Sequence, residues 1–268
     1  MREKISKGIP FAWLTLLCAG AAVAPLVFPD PLAVDLSHVS SSFQLEHLLG
    51  TDELGRDVLS RLLHAARATL FVTVGATLLD MLIATAVGLV AGYHGGWLDR
   101  ALVVVIDLFW TVPFVVFVVL VVSLTGVSTL SLIFSIAAIN WVSAARVIRA
   151  EAVRLRDQPF VRAAQAFGFS PYWVIAQHIL PALGRTVAAL TAYTAIEVLT
   201  LETGLAFIGL SLPAPTPTWG GMLSDGLNYL DSAWWLVFVP AGAITFTLIS
   251  LQSLARIFEG SHHGYERQ

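Results

Sequence analysis

The chain has 268 residues, of which 57% are apolar and only 12% are Asp, Glu, Lys or Arg. A soluble domain carries about a quarter charged residues, so this composition excludes a water-clothed globule and marks a membrane protein. A formal net charge of −3 and a single cysteine, Cys18, exclude an intrachain disulfide and leave no electrostatic attraction for a nucleic-acid partner.

A helix crosses the hydrocarbon core with about 20 mostly apolar residues, and the runs of that length, taken in order, number six. Gly8 to Pro29 is uncharged, and Thr69 to Ala91 is interrupted by Asp80. Asp107 is the sole charge between Ala101 and Ala145, and the polar turn Ser123 to Thr129 divides that stretch into spans near Ala101–Val122 and Leu130–Val147. Thr186 to Phe207 holds Glu197 and Glu202, and Ser232 to Ala255 is free of charge. Lys and Arg stay in the cytoplasm. With both termini inside, Arg2, Lys4, Lys7, Arg100, Arg146, Arg149, Arg154, Arg156, Arg162, Arg185, Arg256 and Arg267 lie on that side, against Arg56, Arg61 and Arg67 outside. The start has a competing reading as a cleavable signal peptide, with Ala22-Val23-Ala24 as its small-x-small site. The expected organisation is a tail (1–8), a first span (9–28), an external segment (29–68), a five-span core (69–256) and a second tail (257–268).

Two connections are informative. In the external segment, Thr51 or Asp52 is expected to cap a helix in which Leu54, Val58, Leu59, Leu62 and Leu63 form one apolar stripe, suited to lying flat at the interface. In the cytoplasmic loop 149–185, Pro159 opens a short Ala-rich helix that Gly168 ends by supplying left-handed backbone. A second short helix from Pro171 to Ile179 leads back to the fifth span, which starts at Pro181. Small residues at the tip of this hairpin make it a docking knob.

The hairpin carries a resemblance. Arg162-Ala163-Ala164, three residues, Gly168, and then Leu180-Pro181 resemble the EAA loop of binding-protein-dependent ABC importers. The blocks Leu49 to Arg61, Gly92 to Asp99 and Leu205 to Gly220 are similar to the dipeptide, oligopeptide and nickel permease branch of that family. Two departures stand out. Arg162 replaces the acidic residue of the general motif, and the branch's usual Gly-Asp and Asp-Pro ending is missing after Ile249.

The resemblance implies an all-α integral membrane fold of six transmembrane helices, both termini cytoplasmic, with the coupling loop between the fourth and fifth, in a prokaryotic inner membrane. It implies Phe160, Val161, Arg162, Ala163, Ala164, Ala166, Gly168, Leu180 and Pro181 as the ATPase-coupling residues. It also implies a second homologous permease, two cytoplasmic ATP-binding subunits and an extracytoplasmic substrate-binding protein as partners. The only lysines are Lys4 and Lys7, outside any phosphate-cradling loop, so the chain is no ATPase and ATP and magnesium belong to the partners.

Ionisable residues inside spans are functional candidates by default, and Asp80, Asp107, Glu197 and Glu202 qualify as pathway residues. The resembled family usually has an acid at the positions of Asp107 and Glu202, which leaves Asp80 and Glu197 as the distinctive pair. His38, His47, His64, His94, His178, His262 and His263 lack ligand spacing, so no metal site is expected. A self-contained ion-coupled carrier using the four carboxylates is the alternative, although such folds show internal repeats. An intramembrane enzyme fails for want of a catalytic constellation. Peptides, nickel and metal chelates all remain open as cargo.

Overall fold

The computed structural model describes residues 2–210, 212–213 and 215–260, all helix and connection. The elements run α1 (Arg2–Val27), α2 (Val58–His94), α3 (Gly96–Thr111), α4 (Phe114–Thr125), α5 (Thr129–Arg156), α6 (Pro159–Ala166), α7 (Pro171–Val174), a π-turn (Ile175–Ile179), α8 (Leu180–Phe207), α9 (Trp219–Gly226) and α10 (Trp235–Gly260). Among the described residues five helical stretches are long and apolar enough to cross a membrane, and six if α3 and α4 count as one broken span.

That break corrects the expected straight span at Ala101–Val122. The helices meet at 84°, because Pro113 has no N–H to continue the ladder and forces the residue before it out of helical backbone. Val112 accordingly sits at φ −78°, ψ 122°.

The expected interfacial helix is corrected as well. Asp52 is consumed in a turn, its Oδ1 accepting the N–H groups of Leu54 and Arg56 at 2.9 Å each. Its other oxygen takes Arg56 Nε at 2.6 Å together with Arg61. Asp57 caps instead, accepting Ser60 N–H at 2.7 Å, and α2 then runs unbroken for 37 residues. The apolar stripe beginning at Val58 thus belongs to the first turns of a span. Similarly, α7, the π-turn and α8 form one continuous rod rather than a short helix and a separate span. Leu180 N–H bonds the carbonyl of Ile175, five residues back, a π-type step that precedes Pro181.

The last expected span is longer than foreseen, since α10 continues through residue 260. Residues 261–268, with His262, His263 and Arg267, lie outside the described residues, as does Ala214 within the proline-rich stretch after α8.

Among the described residues three clusters make up the core. One gathers Tyr93, Ala145, Ile148, Leu155, Val161, Val174, Ile179 and Leu183 at the end of the bundle that bears α6. A second surrounds Trp219, Trp235 and Val58 at the opposite end, where Trp219 Nε1 donates to the Leu62 carbonyl at 3.1 Å. The third, around Val72, Val118, Ile136 and Val198, joins α2, α4, α5 and α8.

The axis of the bundle is the pair α2 and α5. Small residues at four-residue spacing on α2, Ala84, Gly88 and Gly92, let the two backbones approach, as small-xxx-small faces do in membranes. A Cβ on Gly88 would meet the Ala145 carbonyl at 2.8 Å, and one on Gly92 the Arg149 carbonyl at 2.6 Å. Two arginines staple the same end. Arg149 forks onto Asp99 at 2.5 and 2.6 Å, and Arg156 reaches the carbonyls of Gly92 and Tyr93 at 3.3 Å.

Overfilling this contact has a predictable cost. Gly92→Leu drives a side chain into the α5 backbone and is expected to destabilise the protein by about 1–3 kcal/mol, read as a lower midpoint of thermal unfolding in detergent. Gly184→Ala, where among the described residues nothing beyond its own stretch of helix lies within 4 Å of the new Cβ, is expected to hold that midpoint or raise it slightly, since alanine is the better helix former.

Candidate functional site

The hairpin forms as its sequence dictates. Pro159 occupies the first helical position, where its missing N–H costs nothing. At the far end Gly168 adopts φ +80°, its N–H bonding the Gln165 carbonyl at 3.0 Å while Phe169 N–H returns to the Ala164 carbonyl at 3.3 Å. This double return is the Schellman stop. Val161 and Ala164, three apart on one face, are buried against the Tyr93, Leu155, Val174, Ile179 and Leu183 cluster. Gln165 Nε2 adds a bond to the Tyr93 hydroxyl at 3.3 Å. The hairpin is therefore an extension of the bundle and not a loose loop.

Of the residues singled out for coupling, Phe160, Arg162, Ala163, Ala166, Gly168, Leu180 and Pro181 face outward. Val161 and Ala164 face inward, which corrects the expectation that both alanines present a small-residue tip. Arg162 pairs with Asp157 at 3.2 Å, so the position that carries an acid in the general motif offers a guanidinium whose partner caps the end of α5.

The exposed surface is aromatic. Phe167 and Tyr172 are 83% and 82% exposed, and Phe160, Phe169 and Trp173 are partly so. Phe169 stacks on Trp173 with centroids 4.0 Å apart, and Trp173 meets the His178 ring edge-on at 5.1 Å. Phe167, Phe169, Tyr172 and Trp173 escaped the sequence reading, although four aromatics in seven consecutive residues were a visible signal.

The four carboxylates separate into three environments. Asp80 on α2 is fully buried and accepts Asn140 Nδ2 of α5 at 2.7 Å. The same amide nitrogen contacts Glu197 Oε2 of α8 at 3.5 Å, and Glu197 itself is exposed on the single chain. Asp80 and Glu197 are thus joined through Asn140, a residue the sequence reading passed over. Asp107 stands apart, paired with Arg146 at 2.8 Å, whose guanidinium lies over the Trp110 ring at 4.6 Å. Glu202 is buried beside Thr69, whose hydroxyl is also 3.4 Å from Trp219 N–H, next to the proline-rich segment.

At the end of the bundle opposite the hairpin, Pro31, Leu32, His64, Arg67, Phe71, Thr129 and Pro215–Pro217 line an apolar cleft of about 400 Å³. In the segment before α2, hydrogen bonds from Ser37 and His38 hold the Asp35 carboxyl well below the usual carboxylate range, fixing the turn at Leu36–His38.

Residues 84–261 match the family described as binding-protein-dependent transport system inner membrane component. The chain is 33% identical over 244 residues to the dipeptide transport system permease protein DppC of Bacillus subtilis, covering 90% of this chain and 76% of that one. It is 34% identical over 204 residues to the oligopeptide transport system permease protein OppC of the same organism, covering 76% and 67%. Identity to OppC of Haemophilus influenzae is 32% over 229 residues, covering 84% and 74%. Among solved structures, a chain of the inward-facing MetNI methionine ABC transporter superposes with a TM-score of 0.61 at 16% identity, covering 75% of this chain and 95% of that chain. A second crystal form gives 0.56 at 15%. At such identities these superpositions speak for the fold, an ABC permease bundle. The self-contained carrier is thereby set aside. The chain belongs to the binding-protein-dependent transport system inner membrane components: it is the non-catalytic, cofactor-free permease subunit of an ABC importer, a multi-pass inner-membrane protein of a bacterial complex that includes an ATPase and a binding protein.

Proposed function

We propose that this subunit forms half of a peptide passage, paired with a second related permease, and that two ATPase subunits drive it through the hairpin 159–181. Six crossings, the third broken at Pro113, put both termini and the hairpin in the cytoplasm and the proline-rich segment outside, where the binding protein docks. Dipeptides and oligopeptides are favoured over nickel or metal chelates because the B. subtilis relatives are named for peptides.

The observation that carries this reading is the exposed aromatic face of a hairpin whose inner face is locked into the bundle. A contiguous apolar patch on a water-exposed surface marks a protein interface, and aromatic side chains dominate the energetics of such interfaces. A hairpin anchored by Val161 and Ala164 moves as a body with α5 and α8, so displacement of its outer face by a closing ATPase reaches the spans directly.

Two outcomes follow for the complete transporter in lipid vesicles. Phe167→Ala and Tyr172→Ala should each weaken retention of the ATPase subunits by roughly tenfold or more, the loss of about 1.4 kcal/mol or greater expected of an interface anchor. The thermal midpoint of the isolated permease should not move, and undiminished ATPase retention would refute the docking role. Gly168→Pro, which cannot adopt a positive φ, and Ala164→Trp, which overfills the buried face, should abolish peptide uptake per ATP hydrolysed. Normal uptake in both would refute the lever.

A further inference from the structure

We propose that Asp80, Asn140 and Glu197 form a subsite for the α-ammonium group of the passing peptide. This inference rests on the peptide reading above. The three residues come from three different spans, α2, α5 and α8, and the amide of Asn140 brings them together.

The orientation of Asn140 is fixed by its neighbours. Turned the other way, its carbonyl oxygen would face two carboxylates, so the NH₂ group points at them. Its amide hydrogens are spent on Asp80 Oδ2 at 2.7 Å and Glu197 Oε2 at 3.5 Å. What the cluster has left is acceptors only. Asp80 Oδ1 is buried with no partner, and neither the second oxygen of Glu197 nor the carbonyl of Asn140 is engaged by another described residue. A buried acceptor without a donor is costly, and the accessible acceptors beside it, on Glu197 and Asn140, are open to a ligand that brings donors.

Charge points the same way. Among the described residues no cation pairs with Asp80 or Glu197. Further along α5, Arg146 is held by Asp107 and Arg149 by Asp99. Glu197, the exposed carboxylate, therefore faces an entering solute with no cation to compensate it, and Asp80 stands buried behind the Asn140 amide. An ammonium group has three N–H donors, one positive charge and no acceptor, which matches this set. Glu197 is also the accessible member. A carboxylate on the exposed face of a span faces a water-filled cavity or a protein partner rather than lipid, so a solute in the passage reaches Glu197 first.

The experiment uses the complete transporter, with dicyclohexylcarbodiimide as the carboxyl reagent, tri-alanine as the free-amine peptide and N-formyl-tri-alanine as its neutral counterpart. Tri-alanine is expected to slow modification of Glu197 severalfold, measured by mass spectrometry, and the formylated peptide to give no protection. Because Glu197 is exposed, Glu197→Gln leaves folding intact. It should lower tri-alanine uptake by about tenfold, or about 1.4 kcal/mol, with ATP hydrolysis unchanged, and Glu197→Asp should restore uptake. Equal protection by both peptides, protection by neither, or parallel loss of uptake and ATP hydrolysis in Glu197→Gln would overturn the subsite. Failure of the unmodified transporter to take up tri-alanine at all would overturn the peptide assignment itself, and the subsite with it.

Discussion

The contact on which the molecule depends is the side-chain-free approach of α2 to α5. In lipid there is no hydrophobic drive to bring helices together, so association comes from close packing and polar bonds. Gly88 and Gly92 provide the first by bringing the carbonyls of Ala145 and Arg149 within reach of where a Cβ would be. The bonds from Arg156 to the Gly92 and Tyr93 carbonyls and from Asn140 to Asp80 provide the second, at different depths. Once α5 is fixed against α2, its end delivers Pro159 to the place where α6 begins, and its middle delivers Asn140 to the carboxylates. Docking surface and membrane-depth cluster therefore share one scaffold.

Much of this was legible in the residues. Six apolar runs, the Pro159 start, the Gly168 stop and the acids at membrane depth follow from hydropathy and backbone chemistry that act locally. Other features depended on competition between local signals. Asp52 and Asp57 can each cap a helix, and the choice fell to Asp57 because Arg56 and Arg61 converge on Asp52. Pro113 was visible inside an apolar run, yet whether a proline bends a span or breaks it depends on the neighbours that satisfy the freed carbonyls.

The remainder required three dimensions. Nothing along the chain links Asp80 to Glu197, since Asn140 joins them only after α2, α5 and α8 have packed. Likewise, Ala163 and Ala164 are equivalent as letters, and only the cluster around Tyr93 decides that one faces in and the other out. The aromatic character of the docking face follows from that choice, because burying Val161 and Ala164 turns Phe160 and Phe167 toward water.

The π-turn at Ile175–Ile179 has a mechanical corollary. It interrupts the regular ladder at the base of a rod whose far portion bears Glu197, 18 residues beyond Ile179. At 1.5 Å per residue that arm is about 27 Å long, so the outer face that meets the engine and the carboxylate that meets the cargo stand at two stations of one rod, with no joint of loose chain between them.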